Sequence, residues 1–376
     1  MYTIDVSAAV HNRAGLGRYA AALARALADA RPGEVSLFHN QGSDGRLPDE
    51  LRDLPRRTVR LGYKPWRLAV LLAHWSRIHF DRLLPETRLF HSTEHLLLPL
   101  RQTPTVITIH DLIPRLFPQF HKKLNYYYLN LAMPLFCRRA TAVIAVSAST
   151  KRDLVAHYRL DPAKIFVVHE AAAPHFKPAT PAKIKMVRGK YRLPERFLLH
   201  LSTIEPRKNL ERLLDALQIV RREQPGLKMI LAGAKGWLYD DFFARLAAER
   251  LEDVVQPLGW VPDEDLPAVI GAATLAVQPS LYEGFGLPIL EHMACGQVVA
   301  ASNSSSHPEI GGEAAAYFDP THVEEMAAVI SRLLTSPDEY QQRRESGLAQ
   351  ARRFSWQRAA AETLAIYDRI LDNRQS

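Results

Sequence analysis

The feature that most constrains the fold is an alternation of short apolar segments with helical segments in the second half of the chain. Strand-like segments are predicted at 197–202, 227–232, 254–258, 274–278 and 298–302. Helical patterns, such as the one at 210–222, separate them. Short apolar strands alternating with helices indicate a parallel sheet that is covered on both faces. This half is therefore predicted to be a doubly wound α/β domain.

The first half has a looser version of the same pattern. Strands are predicted at 3–8, 35–39, 106–110, 142–146 and 165–169, and a loop to Gly17 is predicted to precede a helix at 18–28. A chain of 376 residues exceeds one ordinary core. We expect two Rossmann-like domains, 1–172 and 182–354, joined by a linker rich in Ala and Pro. The last predicted segment, 355–376, starts with a helix at 355–371. A ligand is expected in the cleft between the two domains.

Composition narrows the possible partners. The net charge of +8 fits nucleic acid, an anionic membrane face or an anionic substrate. No RNA-binding signature or zinc-finger spacing occurs, so nucleic acid is not expected. The two cysteines, Cys137 and Cys295, lie far apart within apolar patterns and are predicted to be buried free thiols. Free thiols fit a reducing compartment, and we expect a cytoplasmic protein.

Neither a secretion signal nor a membrane span is predicted. The chain begins with strand-like residues at 1–6, without a basic segment followed by an apolar one. No uncharged apolar run approaches the ~20 residues of a spanning helix. Any membrane contact is therefore expected to be peripheral, at the cytoplasmic face.

The run from Glu283 to Glu291 carries the most specific chemistry. It places one glutamate in a glycine loop and the other in the first turn of a predicted helix, with Pro288 expected at the first helical position. Gly284 and Gly286 let the main chain approach a ligand. A helix N-terminus binds phosphate well, and carboxylates accept hydrogen bonds from hydroxyls. Phosphate together with a polyol describes a sugar nucleotide.

Cations and a histidine follow two other predicted strands. Arg207 and Lys208 follow the strand at 197–202 and are suited to a diphosphate, although a solvated basic pair is the plain alternative. His110 follows the apolar strand residues 106–109 and is suited to a substrate hydroxyl or a leaving oxygen. A histidine that only caps the loop remains the alternative.

Two further motifs match well-known patterns only weakly. Residues 15–20 match the dinucleotide fingerprint, but the glycines come several residues after the strand. The next strand ends without the acid that would hold a ribose, so nicotinamide chemistry is not expected. Asp263 and Asp265 match a D-x-D metal pattern, but they precede a predicted helix and are interpreted as capping residues. No His/Cys cluster with metal-ligand spacing exists, so no metal is expected.

Taken in order, these segments resemble the retaining glycosyltransferases of family 4, which have the GT-B fold. The resemblance covers nearly the whole chain, in the segments 15–19, 110–111, 146–147, 205–209, 258–262, 279–291 and 302–309. It implies two doubly wound Rossmann-like domains with parallel sheets and an interdomain cleft. It also implies that the helix of the last segment, 355–376, crosses back to the N-terminal domain. The spaced glutamate pair is its most specific part.

The resemblance also implies residue roles. Glu283 is expected to contact hydroxyls of the donor sugar, and Glu291 to hold the ribose. Arg207 and Lys208 are expected to neutralise the departing diphosphate, and His110 to lie near the reacting carbon. The other expected donor-binding residues are Gly15, Gly17, Val261, Gly284, Phe285, Gly286 and Leu287. Gly15 and Gly17 would border the acceptor and the phosphate, and Val261 would lie against the base. The main chain of 284–287 would contact the sugar and the diphosphate.

One departure from the family pattern affects the phosphate site. Many relatives carry Gly-Arg ahead of the lysine-bearing loop, where this chain has Ser202 and Thr203. Phosphate neutralisation then rests on Arg207 and Lys208. The resemblance implies that no divalent metal is required, and that the sugar is transferred with retained anomeric configuration.

Donor and acceptor stay open in the sequence. Residues 283–309 are most similar to bacterial mannosyltransferases that use GDP-mannose, and a UDP-sugar-dependent glucosyl or GlcNAc transferase is the alternative. The basic, aromatic segments 64–77 and 121–123 suggest an anionic membrane surface, hence a glycan or lipid-linked acceptor in cell-surface polysaccharide synthesis. An ordinary amphipathic helix would explain the same pattern. A hydrolysing sugar-nucleotide 2-epimerase or a non-catalytic sugar-nucleotide sensor would also fit these residues.

Overall fold

The structure is a computed structural model of the 376-residue chain. It describes every residue except Arg13, Ser43, Asp44, His121, Lys122 and Ser376, and every side chain except those six and those of Ala14 and Gln375. The chain divides into two compact units. The first consists of Met1–Glu170 and Ser355–Ser376, and the second of Ala171–Phe354.

The first unit is built on a parallel sheet. Its strands, as described, are β1 (Tyr2–Asp5), β2 (Val35–Asn40), β3 (Arg56–Val59), β4 (Leu89–Ser92), β5 (Thr105–Ile109), β6 (Ala142–Ala145) and β7 (Ile165–Val167). They lie in the order β3-β2-β1-β4-β5-β6-β7. Tyr2 of β1 is in register with Val35 on one side and Leu89 on the other. The strand order therefore reverses between β1 and β4, because β2 and β3 lie on one side of β1 and β4 to β7 lie on the other.

Helices cover this sheet. They are α1 (Ser7–Val10), α2 (Ala14–Ala30), α3 (Tyr63–Ser76), α4 (Ile113–Leu116), α5 (Lys123–Arg139) and α6 (Ala148–Tyr158). The core below α3 and α5 contains Phe38, Phe90 and Phe136, each fully buried. The prediction that a loop runs to Gly17 is wrong, because α2 begins at Ala14 and both early glycines lie inside it.

The second unit repeats the same plan. Its strands, as described, are β8 (Phe197–Leu201), β9 (Lys228–Ala232), β10 (Val255–Gly259), β11 (Leu275–Gln278), β12 (Val299–Ser302) and β13 (Ala316–Phe318). All pairs are parallel, in the order β10-β9-β8-β11-β12-β13. Its helices are α7 (Pro181–Lys190), α8 (Leu210–Val220), α9 (Asp240–Ala248), α10 (Leu266–Ala272), α11 (Leu287–Ala294), α12 (His307–Gly311), α13 (Val323–Thr335) and α14 (Pro337–Ala351).

The last helix, α15 (Trp356–Gln375), belongs to the first unit. Tyr367 on this helix is fully buried, and its hydroxyl lies 2.5 Å from Nδ1 of His91 in β4. Asp368 accepts a hydrogen bond from Tyr2 at 3.0 Å and contacts Arg31 at 2.9 Å. The end of the chain is thereby attached to β1, β4 and the segment after α2.

The predicted fold class, two doubly wound domains with parallel sheets, is confirmed. Three strands escaped prediction: β3, β4 and β13. The first carries two arginines, the second has only two apolar residues before His91 and Ser92, and the third has only three residues. Cys137 and Cys295 are buried and free, as predicted. Among the helices that the structure describes, none is long and apolar enough to cross a membrane.

Candidate functional site

A buried cluster of charged side chains lies where the strand order of the second unit reverses. β8 and β11 are neighbours there, and the chain leaves β8 for a tight turn at Pro206–Lys208. It leaves β11 for the segment 279–286, which leads into α11. The carboxyl ends of strands at such a reversal are the usual ligand site of doubly wound sheets.

Arg207, Lys208 and Glu283 meet at this edge. Nζ of Lys208 donates to Oε1 of Glu283 at 2.6 Å, and Nη1 of Arg207 lies 2.8 Å from Oε2 of the same carboxylate. Arg207 also donates to the carbonyl of Tyr282 at 2.6 Å and contacts the carboxylate of Glu205. These three predicted catalytic side chains are thus brought into one buried cluster.

Burial and charge oppose one another in this cluster. Burial alone would raise the pKa of Glu283, but the charges of Arg207 and Lys208 overcome it and hold that pKa well below its usual range. Burial and the charge of Arg207 together lower the pKa of Lys208. Glu283 is therefore a carboxylate throughout the neutral range, and it balances two cations.

Backbone contacts hold the two loops together. The N–H of Leu281 donates to the carbonyl of Arg207 at 3.0 Å. Asn209, with φ of 59°, donates through Nδ2 to the carbonyls of Pro279 at 3.1 Å and Pro320 at 2.7 Å. Asparagine tolerates this left-handed conformation better than most residues. It therefore ends the turn that carries both cations and ties that turn to the segment after β11.

The glycine segment is fixed by serines that follow β12. Ser305 Oγ accepts from the N–H of Glu283 at 2.8 Å. Ser306 Oγ lies 2.9 Å from the carbonyl oxygen of Glu283 and 2.7 Å from that of Phe285, and its single O–H is shared between them. The side chain of Phe285 is buried, and its ring lies 6.2 Å from that of Phe354. A third strand end thus shapes the loop.

The loop ends at the N-terminus of α11. Gly286 is the residue before the helix, with φ of 100°, and a Cβ there would lie 3.0 Å from Cδ2 of His307. Leu287 is the first helical residue, so the expectation that Pro288 holds that position is wrong by one residue. The first-turn N–H groups of a helix have no partner within the helix and favour anions. The predicted phosphate seat therefore has the required backbone.

Glu291 and Val261 are the other second-unit residues that were predicted to bind the donor through their side chains. Glu291 is buried, but it is the fifth residue of α11, so its predicted place in the first turn is wrong. Burial and, to a smaller extent, the charge of Glu291 raise the pKa of the Cys295 thiol, which lies one helical turn further along the chain. Val261 is buried in a hydrophobic cluster with Leu266, whereas the adjacent Trp260 is 66% exposed.

His307 lies in the segment 302–309, but no role for it was predicted. It is buried beside Gly286, and its Nδ1 lies 2.8 Å from Ser302 Oγ. Burial lowers its pKa to about 4, so the ring is neutral near pH 7. The signal that could have found it is the polar run 302–307 after a predicted strand, the same kind of signal that singled out Lys208.

Asp265, in the acidic run before α10, does not cap that helix with its side chain. Asp265 precedes the helix but makes no capping hydrogen bond. Its carboxylate instead contacts Nζ of Lys183 at 3.0 Å and of Lys190 at 2.5 Å, and accepts from the hydroxyl of Tyr191 at 2.8 Å. The bond from Lys190 is the main reason that the pKa of Asp265 falls to about 2. The capping interpretation of this residue is therefore wrong.

His110 lies at the corresponding edge of the first unit. Its Nδ1 is 2.9 Å from Oε1 of Glu170 and its Nε2 is 3.0 Å from the carbonyl of Thr93. The ring packs edge-on against Tyr19 at 4.6 Å. Burial would lower the pKa of His110, but the hydrogen bond and charge of Glu170 raise it above its usual value. Both nitrogens face acceptors, which fits a protonated ring.

The early glycines differ from one another. Both lie at the start of α2, where Gly15 is exposed and a Cβ would meet nothing within 4 Å. At Gly17 a Cβ would lie 3.0 Å from the carbonyl oxygen of Ala8 and 3.3 Å from Cα of Ala9. Gly17 therefore permits the close packing of α2 on α1, a structural reason that the sequence did not indicate.

The buried acid Asp5, at the end of β1, was not among the predicted functional residues. Asp5 accepts from the N–H of Ser7 at 2.9 Å and from its hydroxyl at 2.5 Å. Burial, followed by the charge of Glu94 beyond β4, raises its pKa to about 7. The reversal point of the first sheet thus carries acids, whereas that of the second sheet carries cations paired with carboxylates.

Comparison with known proteins identifies the class. The profile described as "Glycosyltransferase Family 4" matches residues 13–175, and the profile "Glycosyl transferases group 1" matches residues 185–350. The structure is similar to sucrose-phosphate synthase from Thermosynechococcus elongatus, with a TM-score of 0.79 over 99% of this chain and 100% of that one. At 19% identity this likeness shows the fold alone. The protein is a glycosyltransferase with the GT-B fold.

Sequence relatives identify the family. The O-antigen chain mannosyltransferase B of Escherichia coli is 32% identical over 367 residues, covering 94% of this chain and 95% of that protein. The serotype-specific mannosyltransferase WbdA of Escherichia coli is 32% identical over 279 residues, which are 72% of this chain but only 34% of WbdA. The chain belongs to glycosyltransferase family 4, which confirms the resemblance found in the sequence.

Proposed function

We propose that this enzyme transfers mannose from GDP-mannose, with retained configuration, to a glycan or lipid-linked acceptor in cell-surface polysaccharide synthesis. The observation that carries the proposal is the buried cluster of Lys208, Arg207 and Glu283 beside the N-terminus of α11. Mannose is supported by the mannosyltransferases that match 94% and 72% of this chain. Their names specify no donor, so the guanine nucleotide rests on the sequence resemblance.

The donor diphosphate is proposed to lie between Lys208 and the first turn of α11. An ammonium group has three N–H bonds, and one is used on Glu283. The other two are chemically suited to phosphate oxygens. Each oxygen of Glu283 keeps a lone pair in addition to its ion pair, so the carboxylate can accept from sugar hydroxyls. One carboxylate would thereby orient both the sugar and the lysine.

Arg207 is proposed to position the cluster as well as to add charge. Its guanidinium contacts Glu205, Glu283 and the carbonyl of Tyr282, so several of its N–H bonds are used within the protein. Its charge still acts on a diphosphate at this edge, because the site is buried and screening is weak. Lys208 is then the more direct phosphate ligand.

The proposed reaction follows from this charge distribution. The bond between the anomeric carbon and the diphosphate oxygen breaks, and its electron pair remains on the diphosphate. The acceptor hydroxyl attacks the same face of the sugar, and its proton passes to the departing diphosphate. Preorganised cations and backbone N–H groups stabilise the charge that develops on the leaving group. We propose that they do so without a divalent metal.

Donor binding with EDTA present tests the proposal. GDP-mannose, UDP-glucose, UDP-GlcNAc and ADP-glucose are titrated calorimetrically, and the sugar released by slow hydrolysis is examined by NMR. Selective binding of GDP-mannose and release of the α-anomer are expected. Preferential binding of a UDP-sugar would mean that GDP-mannose is not the donor. Release of β-mannose would contradict the retained configuration, and loss of binding in EDTA would contradict metal independence. Formation of a 2-epimer would indicate the epimerase instead.

A membrane-facing surface in the first unit completes the proposal. Leu68, Leu72 and Trp75 lie on one face of α3 and are 55%, 48% and 54% exposed. α5 lies beside α3, because Arg67 is 3.9 Å from the ring of Tyr128 and 3.3 Å from Asn125.

α5 exposes a similar row, made of Leu124, Tyr127 and Leu131. Exposed cations at the edges of the two helices include Lys64, Arg77, Arg82 and Lys123. Apolar rows flanked by cations fit an anionic bilayer. Of the basic segment 121–123, His121 and Lys122 lie outside the described residues. We therefore propose peripheral attachment at the cytoplasmic membrane face.

Vesicle co-sedimentation at low salt tests this attachment. Leu72→Ser with Trp75→Ser should weaken binding to phosphatidylglycerol vesicles, because both exposed apolar contacts are lost. Met186→Ser is the matched control, since Met186 is 47% exposed but lies in the second unit. Equal binding of both variants, or no binding by the wild type, would remove the membrane from the proposal.

A further inference from the structure

A basic pocket of about 790 Å³ lies in the first unit, along β3 and at the carboxyl end of β2. None of the residues expected to bind the donor is among the described residues that line it. Its lining includes His39, Arg46, Arg52, Arg56, Thr58 and Arg60. The pocket is therefore a site separate in composition from the cluster around Lys208.

The strand geometry explains why these side chains converge. Side chains alternate between the faces of a strand, so Arg56 and Thr58 of β3, followed by Arg60, share one face. His39 of β2 is in register with Thr58, and its Nε2 lies 3.1 Å from Thr58 Oγ1. Arg57 lies on the opposite face of β3 and does not line the pocket.

The charges of the pocket are only partly compensated. The carboxylate of Asp49 contacts Arg52 at 2.6 Å and Arg46 at 3.5 Å. Arg56 donates to the carbonyl of Arg52 at 3.1 Å. Within the described part of the chain, neither Arg56 nor Arg60 has a carboxylate within ion-pair distance. The guanidinium groups of Arg56 and Arg60 therefore keep positive charge available for an anion.

The base of the pocket is polar as well. His39 is buried, and among the described residues its Nδ1 has no hydrogen-bond partner. Burial, with the charge of Arg56, lowers the pKa of His39, so the ring is neutral near pH 7. A buried ring nitrogen without a partner is costly unless a ligand or water supplies one. His39 is also one of the residues that line the pocket, so a neutral imidazole lies beside the arginines.

We infer that this pocket binds a phosphate or diphosphate group of the sugar acceptor. The planar guanidinium fork matches phosphate oxygens, and several arginines on one face suit a group with more than one negative charge. The inference rests on the proposed glycosyl transfer for its assignment to the acceptor. The pocket itself stands on the arginines and His39 alone.

The position of the pocket agrees with an acceptor held at a membrane. Gly62, which lines the pocket, is the residue before α3. The exposed row of Leu68, Leu72 and Trp75 follows on the same helix. A phosphate in the pocket would therefore lie at the start of the helix that we propose to touch the bilayer. The phosphate can belong to a lipid carrier or to a soluble glycan phosphate.

Binding of inorganic pyrophosphate to the full-length enzyme, with the donor seat first saturated by GDP, tests the pocket. Calorimetry should show GDP binding and then a pyrophosphate site. In Arg56→Gln with Arg60→Gln that second site should weaken by roughly tenfold or more, because two charged hydrogen-bond donors are lost. Arg57→Gln, on the other face of the same strand, is the matched control and should bind as the wild type does.

The outcomes separate this inference from the proposed function. GDP binding without a pyrophosphate site, or equal weakening in Arg57→Gln, overturns the pocket and leaves the donor assignment intact. Failure of GDP itself to bind overturns the proposed donor, and pyrophosphate binding that still depends on Arg56 and Arg60 would then uphold the pocket. Loss of folding is detected by the melting temperature, with the single variants Arg56→Gln and Arg60→Gln as a milder pair.

Vesicles distinguish the two sources of phosphate. The wild type and the Arg56→Gln, Arg60→Gln variant are compared on phosphatidylcholine vesicles that contain phosphatidic acid or phosphatidylglycerol at equal charge. A larger loss on phosphatidic acid, whose phosphate is terminal, supports a lipid-borne group. Equal losses on the two lipids, with the pyrophosphate site retained in the wild type, support a soluble glycan phosphate.

Discussion

The six strands of the second unit repeat the order of the first six strands of the first unit, yet the two reversal points carry different charged groups. In the first unit β1 ends at Asp5 and β4 is followed by Glu94, and the pKa of Asp5 rises to about 7. In the second unit β8 leads to Lys208 and β11 to Glu283, whose pKa falls. The same backbone framework thus produces a protonatable acid in one place and a compensated ion cluster in the other.

This difference shows where a charged leaving group can be stabilised. The second unit combines cations, a helix N-terminus and a glycine of positive φ at one edge. In the first unit the cations that line the basic pocket lie away from the reversal point, around the edge strand β3 and its neighbour β2. We therefore expect substitutions at the second reversal point to affect catalysis, and most substitutions at the first to affect stability or pH dependence.

Removing one member of the ion cluster is expected to have the largest effect. Lys208→Ala and Glu283→Ala should each cost about 3–4 kcal/mol of transition-state stabilisation, as loss of a single oxyanion-type group does. Donor turnover, with acceptor or by hydrolysis, is the measurement. Lys228→Ala, an exposed lysine at the start of β9, should leave turnover unchanged. Normal turnover in both cluster variants would show that the second reversal point is not the active site.

Gly286→Ala should weaken the phosphate seat and the fold together. Its φ of 100° is costly for a side chain, by about 1–2 kcal/mol, and the new Cβ would crowd His307. We expect a lower melting temperature and weaker GDP binding. Gly226→Ala, where a Cβ meets nothing within 4 Å, should change neither. A Gly286→Ala protein that binds GDP as tightly as the wild type would contradict the proposed role of this loop.

The two early glycines separate packing from ligand binding in the first unit. Gly17→Ala should destabilise by about 1–2 kcal/mol because the new Cβ meets the backbone of α1. Gly15→Ala should leave the melting temperature unchanged or raise it, because alanine favours the helix. Turnover of Gly15→Ala then tests the predicted ligand role directly. A stable Gly15→Ala protein with full activity would remove Gly15 from the donor-binding residues.

The smallest expected effect is a change in pH dependence at His110. Its pKa is raised in the folded state, so its contribution to stability is complete below about pH 6.5 and is lost as pH rises through the higher folded value. Glu170→Gln removes the carboxylate that raises this pKa. Melting temperatures from pH 5.5 to 8.5 should show that the wild type loses its advantage over the variant as pH increases. A constant difference between the two proteins would mean that His110 does not titrate against Glu170.

Much of the fold followed from local pattern. The strands β1, β2, β5, β6 and β7, together with β8 to β12, were predicted to within a few residues, because most of them are apolar along most of their length. The edge strands β3 and β13 are short or charged and gave no such signal. The start of α2 was misplaced because glycines at the beginning of a helix look like a loop in sequence.

The sequence by itself determined the class of the protein, because the spacing of Glu283 and Glu291 and the order of the surrounding segments reflect local chain geometry. It also singled out Arg207 and Lys208 as residues at a strand end. Only the tertiary structure decided that these cations meet Glu283, that Gly17 serves helix packing and that arginines of β3 line a pocket with His39. Such contacts join residues up to 75 positions apart, and their distances depend on strand order and register rather than on any local pattern.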